Sequence, residues 1–295
     1  MPSSEHRNAD SRVIGRYAPS PTGALHLGNL RTALVAWLHA RLQSGQFLLR
    51  MEDLDRPRVV PGSDAHIIQD LEWLGIDWDG EVIVQSARLD SYTQAMQRLR
   101  SHDLAYPCFC SRKDIREAAS APHQLSGIYP GTCRALSEES RAQQSTLKTP
   151  SWRFRAHLID PSLDDCVVQR ADGVFSYHLA VVVDDLAQGI TQVVRGADLS
   201  PCESLQQALA AHLAPDRAPI VYRHVPLVTD AEGKRLSKRD GSESAQVWRA
   251  AGRSSEQLVA RFAQELGLID VDCDALSAHD LLDTLSFERL EAVLA

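Results

Sequence analysis

Residues 12–45 read RVIGRYAPSPTGALHLGNLRTALVAWLHARLQSG and decide the fold of this chain. The first six residues form a short apolar run, which is typical of a buried strand. A turn containing Pro and Gly follows, and leucines then recur at helical spacing up to Gly45, which stands where a C-terminal helix cap is expected. The stretch therefore predicts a strand, a tight turn and a helix.

The same alternation continues along the chain. FLLRMEDLD (47–55) predicts a second strand with an acidic end, and DAHIIQDLEWLGI (64–76) predicts a helix with Asp64 as its N-cap. ITQVVRG (190–196) predicts a further strand, and SPCESLQQALAAHLA (200–214) a further helix. Alternating strands and helices indicate an α/β fold of Rossmann type, with a parallel sheet covered on both faces.

The pattern changes between about Pro107 and residue 189. SWRFRA (151–156) and CVVQRADGVFSYHLAVVV (166–183) predict strands in a small inserted domain of α+β type. The predicted division is a flexible tail at 1–11, a Rossmann-type catalytic domain at 12–107 and 190–245, an insertion with a metal site at 108–189, and a helical C-terminal segment at 246–295. That segment contains two amphipathic helices (254–269 and 277–295) and leaves too little chain for a further domain with its own core.

Composition and charge limit the partners. The 295 residues carry a net charge of −8, which argues against broad nonspecific binding to nucleic acid. We therefore expect any RNA partner to bind a local basic patch. No uncharged apolar run is long enough to cross a bilayer, and the N-terminus lacks the apolar core of a secretory signal. We therefore expect a cytoplasmic protein that does not bind membranes. We also expect a monomer, although composition and charge do not determine the oligomeric state.

A histidine and a lysine-rich loop carry the strongest functional signal. Residues 16–29, RYAPSPTGALHLGN, resemble the first signature of class I aminoacyl-tRNA synthetases in its glutamyl form, and KRLSKRDG (234–241) resembles the second. Taken singly, His26 is as well explained by a helix cap and the basic run by a solvated surface. The resemblance implies that His26 and Lys238 stabilise the charge that develops on the α-phosphate of ATP, and that Gly28 and Asn29 complete the ATP site with Mg²⁺ bound to the nucleotide.

Glutamate is the amino acid that the resemblance implies. A substrate with two carboxylates and one ammonium group requires arginines and an anionic partner in one pocket, and Arg16 and Glu52 lie at the ends of two predicted strands. Asp53 and Asp55 are interpreted as salt-bridge partners of Arg50, Arg56 or Arg58. By the resemblance, the glutamate-binding residues are Arg16, Ala18, Ser20, Glu52, Tyr177 and Arg195.

Three cysteines in the insertion predict a metal site. Cys108, Cys110 and Cys133 have a spacing that favours a metal over disulfides. They resemble the zinc site in the insertion of bacterial glutamyl-type synthetases, which implies one structural zinc ion with Tyr129 as the fourth ligand. His123 is the alternative fourth ligand, and cysteines packed in a small reduced core are the alternative without metal.

The expected absence of an anticodon-binding domain indicates which group accepts the glutamate. Short chains of this pattern resemble glutamyl-queuosine tRNA(Asp) synthetases, which implies transfer of glutamate from glutamyl-adenylate to queuosine at the wobble position of tRNA(Asp). The motifs leave open a compact synthetase that charges the 3′ end of tRNA(Glu). A small-molecule nucleotidylyltransferase and a catalytically silent tRNA-binding paralogue are further alternatives.

Overall fold

The computed structural model describes residues 12–111, 113–115, 129–227 and 244–294. The strands in that part of the chain are β1 (Ile14–Tyr17), β2 (Gln46–Met51), β3 (Ile83–Val84), β4 (Ala105–Cys108), β5 (Ser151–Phe154), β6 (Val167–Gln169), β7 (Gln192–Gly196) and β8 (Val221–Val225). The α-helices are α1 (Leu27–Arg41), α2 (Ser63–Trp73), α3 (Leu89–Ser101), α4 (Glu138–Leu147), α5 (Tyr177–Ala187), α6 (Glu203–Leu213), α7 (Ala245–Ala250), α8 (Ser255–Glu265), α9 (Ala278–Thr284) and α10 (Phe287–Leu294).

Parallel strand pairs are present, as the alternation of strands and helices predicts. β1 pairs with β2 and β2 with β3, while β7 pairs with β8, and all three pairings are parallel. The backbone N–H of Thr191 donates to the carbonyl of Ile14 at 2.9 Å, and the Ile14 N–H donates to the Thr191 hydroxyl at 2.9 Å. These bonds place the start of β7 beside β1, so the carboxyl ends of the two sets of strands lie around β1.

Gly45 has a different role from the predicted helix cap. α1 ends at Arg41 with Leu42 as its C-cap, and the N–H of Gly45 donates to the Ala40 carbonyl at 2.9 Å. A Cβ atom at position 45 would lie 2.8 Å from the carbonyl oxygen of Val13, closer than packed atoms approach. Gly45 is therefore required because the chain passes directly against the residue that precedes β1.

The predicted strand through residues 177–183 is wrong. Tyr177–Ala187 form α5, and the Ser176 side chain accepts from the Leu179 N–H as its N-cap. Three consecutive valines favour a strand when local preference is considered alone. The cap and the burial of Leu179, Val181 and Val182 in a core shared with α3 and α6 override that preference.

Three other predicted helices differ in their limits. α2 has Gly62 as its N-cap with φ of 79°, which places Asp64 inside the first turn. The segment that begins at Ser200 is a 3-10 helix over Ala197–Cys202 before α6 starts at Glu203. The last predicted helix is two helices, α9 and α10, because Leu285 is extended with ψ of 132°.

Two apolar cores support this arrangement. One surrounds α1, with Trp37 and Phe47, and includes Phe262, Leu281 and Leu290 from the C-terminal helices. β4, β5 and β6 form an antiparallel sheet, and its Phe154 joins the second core. Among the described helices, none combines the length and the apolar character required to cross a bilayer.

Candidate active site

A cavity of about 860 Å³ opens where the parallel strands end. It is lined by the carboxyl ends of β1, β2, β7 and β8, by the turn over residues 18–26 and by the start of α1. This is the edge of an open parallel sheet at which ligands bind. Predicted site residues that line the cavity are Arg16, Ala18, Ser20, His26, Gly28, Asn29, Glu52, Tyr177 and Arg195. Lys238 lies outside the described residues.

His26 is both the N-cap of α1 and part of the cavity wall. Its Nδ1 accepts a hydrogen bond from the backbone N–H of Asn29 at 3.2 Å. In a neutral imidazole this assigns the ring hydrogen to Nε2, which is then the donor. The helix cap and the synthetase signature are therefore compatible, because the first turn of a helix presents N–H groups and partial positive charge to an anion.

Arg16 is held by a carboxylate that the sequence analysis did not identify. Its Nε donates to Oδ1 of Asp185 at 3.2 Å, and the side chains of both residues are buried. Oδ1 of Asp185 also lies 2.8 Å from Nη1 of Arg50. Burial acts to raise the pKa of Asp185, but the two guanidinium groups outweigh it and hold the pKa below its usual value. Asp185 was missed because α5 was predicted as a strand that ends before it.

The acidic residues after β2 have separate partners. Arg50 contacts Glu52 rather than Asp53: its Nη2 donates to Oε1 of Glu52 at 3.3 Å. Asp53 instead accepts from the backbone N–H of Ser86 at 2.7 Å. Asp55 lies 3.8 Å from Arg58, so that predicted pairing is present, while the pairing of Arg50 with Asp53 or Asp55 is wrong.

Glu52 is the buried anion of the cavity. Only 7% of its side chain is exposed. Burial raises the pKa of its carboxyl group, and the neighbouring Arg50 and Arg16 act against that rise without cancelling it. A cationic group bound in the cavity would stabilise the ionised form further.

Arg195 is a buried cation that lacks a counter-ion in the described part of the chain. Nη1 donates to Oε1 of Gln206 at 2.5 Å, and the guanidinium lies 4.6 Å from the centre of the Tyr222 ring. Its Nη2 is buried and has no hydrogen-bond partner among the described residues. A buried charged donor without a partner is costly, and an anionic ligand in the cavity would satisfy it.

One wall of the cavity, formed by α8 and the residue Arg253 before it, was not predicted by the motifs. Arg253 and, from α8, Arg261, Phe262 and Glu265 line the cavity. Glu265 accepts from Arg261 Nε at 2.8 Å and lies 3.4 Å from Nη1 of the cavity residue Arg31. The amphipathic pattern of this helix was visible in the sequence, but nothing local indicated that it would contact the site.

The three predicted cysteine ligands converge. The sulfur atoms of Cys108, Cys110 and Cys133 all lie within 4.8 Å of one another, and those of Cys110 and Cys133 are 3.6 Å apart. Ligands of a tetrahedral zinc ion with Zn–S bonds of about 2.3 Å are separated by about 3.8 Å. The cluster therefore has a size that suits a zinc ion.

Tyr129 lies beside these thiols. Its buried hydroxyl is 3.4 Å from Sγ of Cys108 and accepts from the backbone N–H of Cys133 at 2.8 Å. Its position next to the thiol of Cys108 and the backbone of Cys133 fits a fourth ligand. His123, the alternative ligand, lies outside the described residues.

The class of protein follows from these features together with a family comparison. Residues 12–277 match the family described as tRNA synthetases class I (E and Q), catalytic domain. The chain belongs to this family, which confirms the predicted α/β fold of a class I synthetase.

The chain is also similar to individual proteins, two by sequence and one by structure. The chain is 48% identical over 268 residues to the glutamyl-Q tRNA(Asp) synthetase of Nocardia farcinica, covering 86% of this chain and 85% of the relative. It is 43% identical over 281 residues to the glutamyl-Q tRNA(Asp) synthetase of Prochlorococcus marinus, covering 95% and 89%. Its structure is similar to that of the glutamate-tRNA synthetase of Elizabethkingia anophelis, with a TM-score of 0.78, 28% identity, and coverage of 96% of this chain and 70% of that one.

Proposed function

We propose that this chain activates L-glutamate with ATP and transfers the glutamyl group to queuosine at the wobble position of tRNA(Asp). The observation that carries the first step is the cavity, in which Arg195 and Arg16 lie with Glu52, the one buried anion among its described lining residues, next to the capped N-terminus of α1. The names of the relatives at 43–48% identity support the acceptor.

Three charged residues of the cavity bind glutamate in this proposal. The substrate ammonium group binds Glu52, and the guanidinium groups of Arg16 and Arg195 bind carboxylate. Nη2 of Arg195, which has no partner among the described residues, gains one from glutamate. Glutamine offers an amide in place of the second carboxylate and leaves a buried guanidinium poorly paired, which disfavours it.

The reaction then takes two steps. A carboxylate oxygen of glutamate attacks the α-phosphorus of ATP, the bond to pyrophosphate breaks, and glutamyl-adenylate forms. A queuosine hydroxyl next attacks the acyl carbon, and AMP leaves as the hydroxyl proton is lost to solvent. His26, with its hydrogen on Nε2, donates to the α-phosphate oxygens as negative charge increases there, and Lys238 supplies a positive charge in the same role. Gly28 and Asn29 complete the ATP site, and Mg²⁺ accompanies the nucleotide.

Zinc has a structural role in this proposal. Cys108, Cys110, Cys133 and Tyr129 hold one zinc ion per chain, which fastens the segment after β4 to the loop that contains Cys133. Four protein ligands leave no coordination position for a substrate. The protein acts as a cytoplasmic monomer.

A direct assay tests the function. The protein is incubated with ATP and labelled glutamate, and pyrophosphate exchange is measured without RNA. The mixture is then offered tRNA(Asp) with queuosine, tRNA(Asp) without it, and tRNA(Glu). We expect exchange in the absence of RNA and label only on the first tRNA. Label on tRNA(Glu) alone would indicate a compact glutamyl-tRNA synthetase, and no exchange would indicate a silent paralogue.

A further inference from the structure

Arg50 is a fully buried cation that lies behind the cavity. It is connected to two charged residues of the cavity wall, directly to Glu52 and through Asp185 to Arg16. Its Nη1 is 2.8 Å from Oδ1 of Asp185, and its Nη2 donates to Oε1 of Glu52 at 3.3 Å. The amide oxygen of Gln188 accepts from Nη1 at 2.6 Å. Arg50 does not belong to the described lining of the cavity, so a ligand there meets its neighbours and not Arg50 itself.

Four charges of alternating sign therefore form one connected row. Arg16 contacts Asp185, Asp185 contacts Arg50, and Arg50 contacts Glu52. The two end members line the cavity, and the two middle members lie behind them. No ion pair joins Arg16 directly to Glu52 within the described part of the chain.

This connection has a consequence for ligand binding. A buried arginine and a buried glutamate in one small cavity attract each other strongly, and a direct pair would use the charges that a substrate needs. Here the Nε edge of Arg16 is occupied by Asp185, and Oε1 of Glu52 is occupied by Arg50. The Nη groups of Arg16 and Oε2 of Glu52 are then the atoms that a ligand can contact.

We infer that Arg50 and Asp185 are positioning residues for amino-acid selection, which hold Arg16 and Glu52 apart at the separation between a carboxylate and the ammonium group of one substrate molecule. The inference rests on the proposed function, because it names how the glutamate site is set. Neither Arg50 nor Asp185 is assigned a contact with ATP. Breaking the row is therefore expected to raise KM for glutamate and to leave KM for ATP nearly unchanged.

Two substitutions break the row without removing side-chain bulk. Asp185→Asn keeps an oxygen acceptor but loses the charge, and Arg50→Lys keeps the charge but loses the planar fork that reaches two carboxylates. Pyrophosphate exchange gives KM for glutamate and for ATP separately. We expect KM for glutamate to rise about 10-fold or more in each variant, from the loss of a charge-assisted contact, and KM for ATP to stay within about 2-fold.

Asp70→Asn is the matched control. Asp70 is also buried and paired with an arginine, since its Oδ1 accepts from Nη2 of Arg249 at 2.5 Å, but it does not line the cavity. We expect this variant to lose thermal stability and to keep the ratio of the two KM values. Should Arg50→Lys fail to fold, Gln188→Met removes only the amide that holds Arg50, and we expect it to raise KM for glutamate about 3-fold.

The inference is overturned if folded Asp185→Asn and either Arg50→Lys or Gln188→Met leave KM for glutamate unchanged, or raise both KM values equally. In that case glutamate-dependent exchange by the unchanged protein would still support the proposed function. Absence of exchange in the unchanged protein would overturn the function and the inference together.

Discussion

The guanidinium group of Arg153 lies 3.7 Å from the centre of the Tyr129 ring, and its Nε donates to Sγ of Cys108 at 3.3 Å. Arg153 is buried, and its Nη1 is held by the backbone carbonyl of Asp165 at 2.5 Å. A zinc ion bound by three thiolates and a phenolate has a net charge of −2. Arg153 thus places a positive charge against two of the four proposed ligands.

Removal of that charge should weaken metal binding. We expect Arg153→Met to reduce zinc affinity about 10- to 100-fold, the range found when outer-shell partners of metal ligands are lost. Chelator competition on the purified protein measures this effect. Arg155→Met is the matched control, because Arg155 is a buried arginine over the Tyr106 ring at 4.7 Å and its Nη groups donate to the Arg134 carbonyl and to Asp103. Equal affinity in both variants would contradict the role of Arg153.

Tyr129 can be tested as a ligand in the same assay. Tyr129→Phe keeps the ring and removes the hydroxyl, so we expect zinc per chain to fall below one after dialysis against a weak chelator. Tyr106→Phe serves as the control from the same buried cluster, since the Tyr106 hydroxyl donates to Asp165 at 2.7 Å and not to a cysteine. Undiminished zinc in Tyr129→Phe, together with zinc loss in His123→Ala, would assign the fourth position to His123.

Arg195 should contribute directly to glutamate binding. Hydrogen bonds to charged groups stabilise by about 1.5 to 3 kcal/mol, so we expect Arg195→Ala to raise KM for glutamate roughly 10- to 150-fold. KM for ATP should change little, because the partners of Arg195 are Gln206, His224 and the Tyr222 ring. Pyrophosphate exchange measures both values, with the exposed Arg98→Ala as control. Similar increases in both KM values would contradict this assignment.

Stability should fall on mild acidification. Burial lowers the pKa of His39, although its contact with Glu291 at 2.9 Å acts in the opposite direction. The unfolded chain therefore binds a proton more readily than the folded protein. The free energy of unfolding is highest above the unfolded pKa of about 6.5 and decreases as pH falls from there towards the lower folded pKa.

Denaturant unfolding at pH 7.5 and pH 5.5 measures this change. Burial also lowers the pKa of His178 and His224, so His39→Gln should reduce the pH dependence without abolishing it. Burial raises the pKa of some carboxyl groups, such as Glu52, so the comparison of His39→Gln with the unchanged protein is what isolates the His39 effect. An unchanged slope in His39→Gln would contradict the assignment to His39.

Much of the candidate site was predictable because its residues follow strand ends. Arg16 and Glu52 stand at the ends of two apolar strands, and the ends of parallel strands meet at one edge of the sheet. The cysteines converge as predicted because Cys108 and Cys110 are close in sequence. The roles of these residues, and the division of the chain into domains, remain predictions.

Other features depended on contacts between distant residues. Asp185 was not predicted as a site residue, because three valines before it favour a strand, whereas capping by Ser176 and burial against α3 and α6 make the segment helical. The wall contributed by α8 also depends on packing, since the helix reaches the cavity through a core shared with α1.

The sequence by itself determined the class of fold, the turn that contains His26 and the three cysteines that could hold a metal ion, because these follow from local periodicity and short motifs. Only the tertiary structure decided which charges meet. Arg16, Arg50, Glu52 and Asp185 come from three separate segments. Their arginine partners outweigh the effect of burial on Asp185 and offset it in part on Glu52. Such pairings depend on three-dimensional proximity and burial, which local sequence patterns do not encode.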